Sequence, residues 1–332
     1  MIGLPAGTRI WIAAGVTDLR RGFTGLSGMV QTALKENPLH CYRSPTVHHR
    51  SSVATLPSLV HSGKAALRFR GYKPLGVTFA GAKKWLEQFD KRDRSAAGFL
   101  LDNIVYLSEK DTEPILVEQH DALVKRLTSA GVPRKKLICV QVHDPGSSSP
   151  VMLNLLRDGA RLERFGCRMI DGRDSLGLNR LTNALGEGAL IYVDDFLGTG
   201  NQFCQERDFV IKSVIGPFSE FLLVPCICEE AIYNIAERGI EAFAGHVHSK
   251  VERPLHDNSP LMDPDSKQRM IDICNGISPK MGLGYGQLAT MVVLYRNAPN
   301  SIPAIFRGSR DQTPFAGIFP RTTDLPIPRA DR

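Results

Sequence analysis

A chain of 332 residues, 42% apolar and 23% charged, is long enough for one large domain or two ordinary ones with real cores. Its net charge of +7 favours anionic partners such as phosphates, nucleotides or nucleic acid. That excess is spread along the chain, and no stretch reaches the roughly 18 apolar residues of a membrane span. The opening MIGLPAGTRIWIAAG lacks the basic start and long apolar core of a signal peptide. The seven cysteines are odd in number and scattered, and Cys226 and Cys228 form only a C-x-C. Reduced thiols in a cytoplasmic protein are therefore expected, not a disulfide frame or a zinc site.

In chain order, Arg9–Ala14 suits a short strand. Asp18 then caps a helix whose apolar positions are Leu19, Phe23, Leu26, Val30 and Leu34, ended by Pro38. The residues GLPAGTRIWIAAGVTDLRRGFTGL and VQTALKENP closely resemble the N-terminus of the small accessory protein of one family of bacterial insertion-sequence transposons. The likeness stops at Pro38. Residues 39–80, which include LHCYRSPTVHHRSSVATLPSLVHSGK, show no sustained period and read as an irregular junction. The His48-His49 pair has no further ligands at metal-binding spacing.

From Lys83 the chain changes character. A helical region runs from Trp85 to about Leu107, and another over 113–130 with Ile115, Leu116, Leu123 and Leu127 apolar. Leu137–Val142 reads as a buried strand and Val151 to about Leu162 as a helix, while residues 167–188 are polar and glycine-bearing. A strand over 189–193 follows, then a helix over 202–215, a strand Phe221–Val224, a short helix Ala231–Glu237 and a strand Ala242–Val247. Strands alternating with helices predict a mostly parallel sheet covered on both faces, with ligands held at the carboxyl ends of its strands.

The chemistry concentrates in ALIYVDDFLGTGNQF, residues 189–203. Tyr192-Val193-Asp194-Asp195 matches a reverse-transcriptase signature, and Pro145–Pro150 resembles a polymerase segment upstream of it. That reading needs a hairpin with an immediate return strand and a third metal-binding aspartate, for which Asp102 in a helical stretch is the best candidate. A second reading uses the whole motif for a sugar phosphate. Asp194 and Asp195 accept hydrogen bonds from ribose hydroxyls, directly or through Mg²⁺ and water. Gly198, Thr199, Gly200, Asn201 and Gln202 offer backbone and side-chain donors to a phosphate at a helix N-terminus. A plain surface turn after a core strand is the third reading.

The spacing Asp194-Asp195-Phe196-Leu197-Gly198-Thr199-Gly200 resembles the phosphoribosyl-pyrophosphate loop of type I phosphoribosyltransferases. That family continues with Gly and Ser or Thr, where this chain has Asn201 and Gln202. The likeness widens with Trp85-x-x-Gln88-Phe89, Gly282-Leu283-Gly284-Tyr285-Gly286, Asn297–Phe306 and Phe315–Arg321. Together these are similar to the phosphoribosyltransferase-like family associated with bacterial conflict (antiphage) systems, over about residues 83–322. The resemblance implies a type I phosphoribosyltransferase-like α/β fold over residues 81–325, with helical N- and C-terminal additions. It implies phosphoribosyl pyrophosphate or a nucleotide as ligand, Mg²⁺ as cofactor bound through Asp194 and Asp195, and defence-system partner proteins or a homodimer. It also implies a pyrophosphate loop at Asp144, Gly146, Ser147 and Ser148, for which a serine-rich helix cap is the equal alternative. Arg173 and Arg180 lie where a mobile loop would close over the pyrophosphate, with a solvated surface as their plain reading. For His246 and His248, satisfied strand histidines are the expectation. No base or acceptor is implied, and a nucleotide-sugar sensor without catalysis is the alternative to an enzyme.

Overall fold

The computed structural model describes residues 56–143, 147–309 and 315–324. The expected strand and helix over residues 9–38, and the rest of the insertion-sequence-like segment, lie outside the described residues.

A parallel α/β sheet occupies the middle of the chain. β2 (Leu137–Gln141), β3 (Arg168–Asp171), β4 (Gly188–Val193), β5 (Phe196–Leu197), β6 (Phe218–Cys228) and β7 (Glu241–His248) form it, in the order β3-β2-β4-β6, with β5 and β7 also paired to β6. Every pairing in it is parallel. Parallel strands need crossovers, supplied here by helices α5 (Ser148–Gly159), α6 (Ser175–Leu185), α7 (Asn201–Val210) and α8 (Glu229–Ala236). The strand period of two divides β4 between two cores. Ala189, Ile191 and Val193 meet α5 and the long helix α4 (Glu109–Ser129), while Leu190 and Tyr192 meet α6, α7 and α8. Each fully buried Ile, Val or Leu of such a strand contributes roughly 1.5–3 kcal/mol of apolar burial.

β4 and β5 lie on the same side of β6 in one register, Val193 opposite Leu223 and Phe196 opposite Cys226. The pairing lapses between them opposite Pro225, which has no N–H to give the ladder. Asp194 and Asp195 sit in that lapse. A polymerase-type hairpin is thus absent, because β5 continues in the direction of β4. Asp102 is far from the pair in role as well. It ends helix α3 (Arg94–Asp102), where His61 Nδ1 (3.1 Å) and Lys64 Nζ (2.8 Å) bind its carboxylate.

The two expected terminal additions form one lobe. Helices α1 (Leu56–Arg68), α2 (Phe79–Glu87) and α3 share a continuous apolar core with α9 (Pro264–Ile277), the segment 289–306 and Phe319. Trp85 is the joint: its Nε1 donates to Ile305 O at 2.8 Å and its ring stacks on Phe306 at 5.6 Å. A small parallel sheet of β1 (Val105–Leu107) and β8 (Val292–Leu294) adds backbone bonds between the same two parts of the chain.

Three boundaries differ from the sequence expectation. The irregular junction is corrected over its described part, since α1 is helical and Phe69 and Tyr72 are core residues. Ser62 and Gly63, poor helix formers, weaken its local signal. The helical region from Trp85 to Leu107 is two helices and a strand, broken at 88–93. The polar stretch 167–188 holds β3 and α6; β3 is a partly exposed edge strand of four residues, too short to show alternation.

Candidate functional site

The chain leaves β2 toward β3 on one side, then crosses back to β4 on the other. The carboxyl ends of β2 and β4 therefore flank a topological switch point, where open parallel sheets leave a crevice. His143 follows β2 and Asp194 follows β4. Their side chains meet there, His143 Nε2 to Asp194 Oδ2 at 3.0 Å, with 7% of His143 and 4% of Asp194 exposed. Ser149, wholly buried, ties the two strand ends together: its hydroxyl donates to Val193 O (2.6 Å) and accepts from Val142 N–H (3.0 Å).

The two aspartates do different work. Asp194 Oδ1 accepts from Ser148 Oγ (3.0 Å) and from Asp195 N–H (2.9 Å), while Oδ2 accepts from His143. Three of the roughly four lone-pair positions of a carboxylate are thereby taken by the protein. Asp195 is only partly buried and lines the cavity. Burial, then the adjacent Asp194 charge, push its pKa up to about 7, against the opposing pull of the Ser148 hydroxyl and then Arg296. For His143, burial alone would lower the pKa; the hydrogen bond and charge of Asp194 outweigh it and raise it.

Beyond β5, Gly200 takes φ +78° as the N-cap of α7, a conformation that favours glycine. A Cβ there would also touch Ala231 at 3.4 Å. The amides of Gln202 and Phe203, in the first turn of α7, have no intrahelical acceptor, and both residues line the cavity. Thr199 Oγ1 accepts from Asn201 N–H at 3.3 Å. Asn234 on α8 braces the turn, its Nδ2 donating to Thr199 O (2.9 Å) and Asn201 Oδ1 (2.8 Å). Asn201 is thus held by its carbonyl oxygen, while Gln202 is exposed at the helix start.

These pieces line one cavity of about 640 Å³, the size of a small-molecule site. It brings together Asp194, Asp195, Gly198, Thr199, Gly200, Asn201, Gln202, Ser147 and Ser148 of the sequence-predicted residues. Asp144 and Gly146 lie outside the described residues. Arg173 and Arg180 do not line it. The connection from β3 to α6 is a tight turn over 172–174, not a long loop, and Arg173 pairs with Glu206 at 3.0 Å. Sequence reasoning gave no site role to several lining residues, among them His143, Arg296 and Tyr285. His143 opens the loop read for the pyrophosphate, without a role of its own. Tyr285 sits in a segment noticed for family likeness and Arg296 just before another, both about a hundred residues from the turn with which they share the cavity. Arg296 makes no hydrogen bond or ion pair among the described residues, and its charge is felt at Asp195.

Among the described residues, one group has metal-ligand spacing, His246, His248 and Glu252, with ligand-type atoms within 4.8 Å. It fits a metal poorly. Met291 N–H donates to His248 Nε2 at 3.0 Å, so the neutral ring carries its proton on Nδ1, the atom that faces Glu252 at 3.5 Å. Burial and the charge of Arg253 lower His248 to about 4 and keep it neutral.

The model of the PRTase-CE family matches residues 82–321, and the chain belongs to that phosphoribosyltransferase-like family. Among solved structures, the chain is similar to orotate phosphoribosyltransferase from Aeropyrum pernix, with 13% identity and a TM-score of 0.28 over 41% of this chain and 68% of that one. It is also similar to a hypothetical protein from Neisseria gonorrhoeae with bound ppGpp, with 16% identity and a TM-score of 0.29 over 51% of this chain and 97% of that one. No curated protein matches. Among the described residues, no helix is long and apolar enough to cross a membrane.

Proposed function

We propose that the cavity binds a phosphorylated ribose, as phosphoribosyl pyrophosphate or a nucleotide. The carrying observation is that the Gly198–Gln202 turn, Asp195 and the cation Arg296 all open on one cavity at the switch point of the sheet. The 5′-phosphate sits at the turn, where the α7 amides and the Thr199 hydroxyl converge on an anion. The ribose hydroxyls donate to Asp195. Mg²⁺, a cation that commonly takes one or two carboxylates and completes its shell with water and ligand phosphates, is held through Asp195. Asp194, with most of its acceptor positions occupied, shapes the site and contributes at most one further oxygen. Ser147 and Ser148, at the start of α5, face the anionic end of the ligand.

As an enzyme, the protein transfers the ribosyl group or removes a base through an oxocarbenium-like state. The site then orients the sugar and stabilises the departing anion. The tie from Asn201 to Asn234 favours a second reading, a sensor that holds the same ligand without turning it over. It occupies a side chain at the position where ordinary phosphoribosyltransferases have a small residue. We read either form as a cytoplasmic effector or sensor in a bacterial defence system, acting with partner proteins or as a homodimer; the resemblance of the sequence motifs to a conflict-associated family supports that reading.

Calorimetric titration of the full chain with phosphoribosyl pyrophosphate and Mg²⁺ tests the reading. Saturable binding is expected, lost in Asp195→Asn and weakened in Thr199→Val. No binding by folded wild type overturns it. Release of pyrophosphate from the saturated protein separates enzyme from sensor.

A further inference from the structure

The amino ends of β2 and β3, at the end of the sheet away from the cavity, carry a separate concentration of charge. The stretches 132–136 and 161–168 lead into these strands. Together they hold six cations, Arg134, Lys135, Lys136, Arg161, Arg164 and Arg168, against one acid, Glu163. The parallel pairing of β2 with β3 sets the two stretches side by side, with Arg168 opposite Ile138. Arg134 bridges them, its guanidinium 4.8 Å from the ring centroid of Phe165. Lys136 is paired with Glu187 at 2.7 Å. The other five cations are exposed, and none of them forms an ion pair among the described residues.

The turn that presents three of them has a fixed shape. Leu162 is wholly buried in the core and holds it down. Arg164 N–H donates to Arg161 O at 3.0 Å, Gly166 N–H to Glu163 O at 3.2 Å and Cys167 N–H to Leu162 O at 3.2 Å. Arg161 takes φ 51°, a left-handed backbone that residues other than glycine keep only where their surroundings over-determine it. In this turn Phe165 is left 48% exposed. A single exposed ring needs no explanation on an ordinary surface. Here it stands on a rigid turn among five cations whose mutual repulsion an anionic partner would relieve.

Cations alone suit any anion. An exposed ring held among them adds affinity only for a partner with flat groups to lay on it. Single-stranded nucleic acid has both parts, a charged backbone and bases with free faces. A duplex offers the same charge but keeps its bases in the stack, and an anionic membrane uses the charge alone. We propose that the surface formed by Arg134, Lys135, Arg161, Arg164, Phe165 and Arg168 binds single-stranded nucleic acid, with phosphates on the cations and one base on Phe165. The cavity opens at the opposite, carboxyl ends of the strands, so this surface does not depend on the sugar-phosphate reading. No covalent change is involved.

The test is fluorescence anisotropy of the full chain with a labelled oligouridylate of about 16 nucleotides, titrated at several salt concentrations. Saturable, salt-sensitive binding is expected. Lys135→Ala and Arg164→Ala should each flatten the slope of log affinity against log salt by about 0.7. Phe165→Ala should weaken binding about tenfold and leave that slope unchanged, a split that loss of fold would not produce. A duplex of the same length is expected to bind about tenfold more weakly than the single strand. Excess phosphoribosyl pyrophosphate should not displace the strand. Absence of binding by folded wild type overturns the proposal, as does full affinity in Phe165→Ala. Equal affinity for the duplex, for polyglutamate or for phosphatidylserine vesicles reduces the surface to a general anion patch and overturns it too. Displacement by phosphoribosyl pyrophosphate would put the strand in the cavity and overturn the assignment to this surface. The wild-type comparisons decide even if a variant misfolds.

Discussion

Adjacent carboxylates at the end of a strand invite the assumption that both face a ligand, and the hydrogen bonds around them divide the pair. Asp194 belongs to the protein through Ser148, His143 and the Asp195 amide; Asp195 faces the cavity. The division has a cost that pH reveals. With its folded pKa raised to about 7, Asp195 binds more protons in the native than in the unfolded state between its ordinary value and neutrality. Stability therefore falls as pH rises through that window. Asp195→Asn is expected to raise the melting temperature at about pH 8 and to change it little near pH 4, as thermal scans across pH will read. His143→Ala removes one partner of a buried pair and leaves Asp194 short of a donor. An unfolding cost of about 1–3 kcal/mol is expected in urea titration, with ligand affinity falling as Asp194 shifts.

The turn before α7 is set by elements on three sides. α8 holds it through Asn234, the 284–289 segment presses on Thr199, and Pro225 opens the ladder that would otherwise have continued through the aspartates. Two glycines probe this arrangement separately. Gly200→Ala meets a left-handed backbone and an ordinary contact with Ala231, so a loss of about 1–2 kcal/mol is expected. Gly286→Ala meets a left-handed backbone and a Thr199 methyl at 2.8 Å, so it costs at least as much. It should also weaken phosphoribosyl pyrophosphate binding by displacing Thr199. Chemical unfolding and calorimetry on both variants distinguish a strained turn from a displaced one.

The molecule joins an α/β sheet to a lobe assembled from both ends of the described chain. Its core has no N-terminal or C-terminal half that is complete alone, since α1, α2 and α3 bury their apolar faces against 255–306 and Phe319. Trp85→Ala removes a wholly interior ring, its stacking on Phe306 and its bond to Ile305, and is expected to cost about 3–5 kcal/mol in urea unfolding. Because the lobe carries Tyr285 and Arg296, that variant should also weaken ligand binding without touching the turn. Deleting residues 1–38 is expected to leave unfolding and phosphoribosyl pyrophosphate binding unchanged. A loss of either would make those residues part of the working unit.

Local pattern was enough for the alternating strands and helices of the parallel sheet, and for the Asp-Asp-x-x-x-Thr-Gly spacing, because periodicity and turn chemistry are written in consecutive residues. The edge strand β3 and helix α6 escaped notice because a short, half-exposed strand has little apolar contrast. α1 escaped because Ser62 and Gly63, poor helix formers, interrupt its apolar spacing. The division of labour between Asp194 and Asp195 was settled only by folding, which placed His143 and Ser148 from the end of β2 against one of two chemically identical neighbours. The wall of the cavity was settled in the same way. Arg296 and Tyr285 reach it through a lobe built from distant segments, and no spacing in the sequence records which residues a crossover brings together.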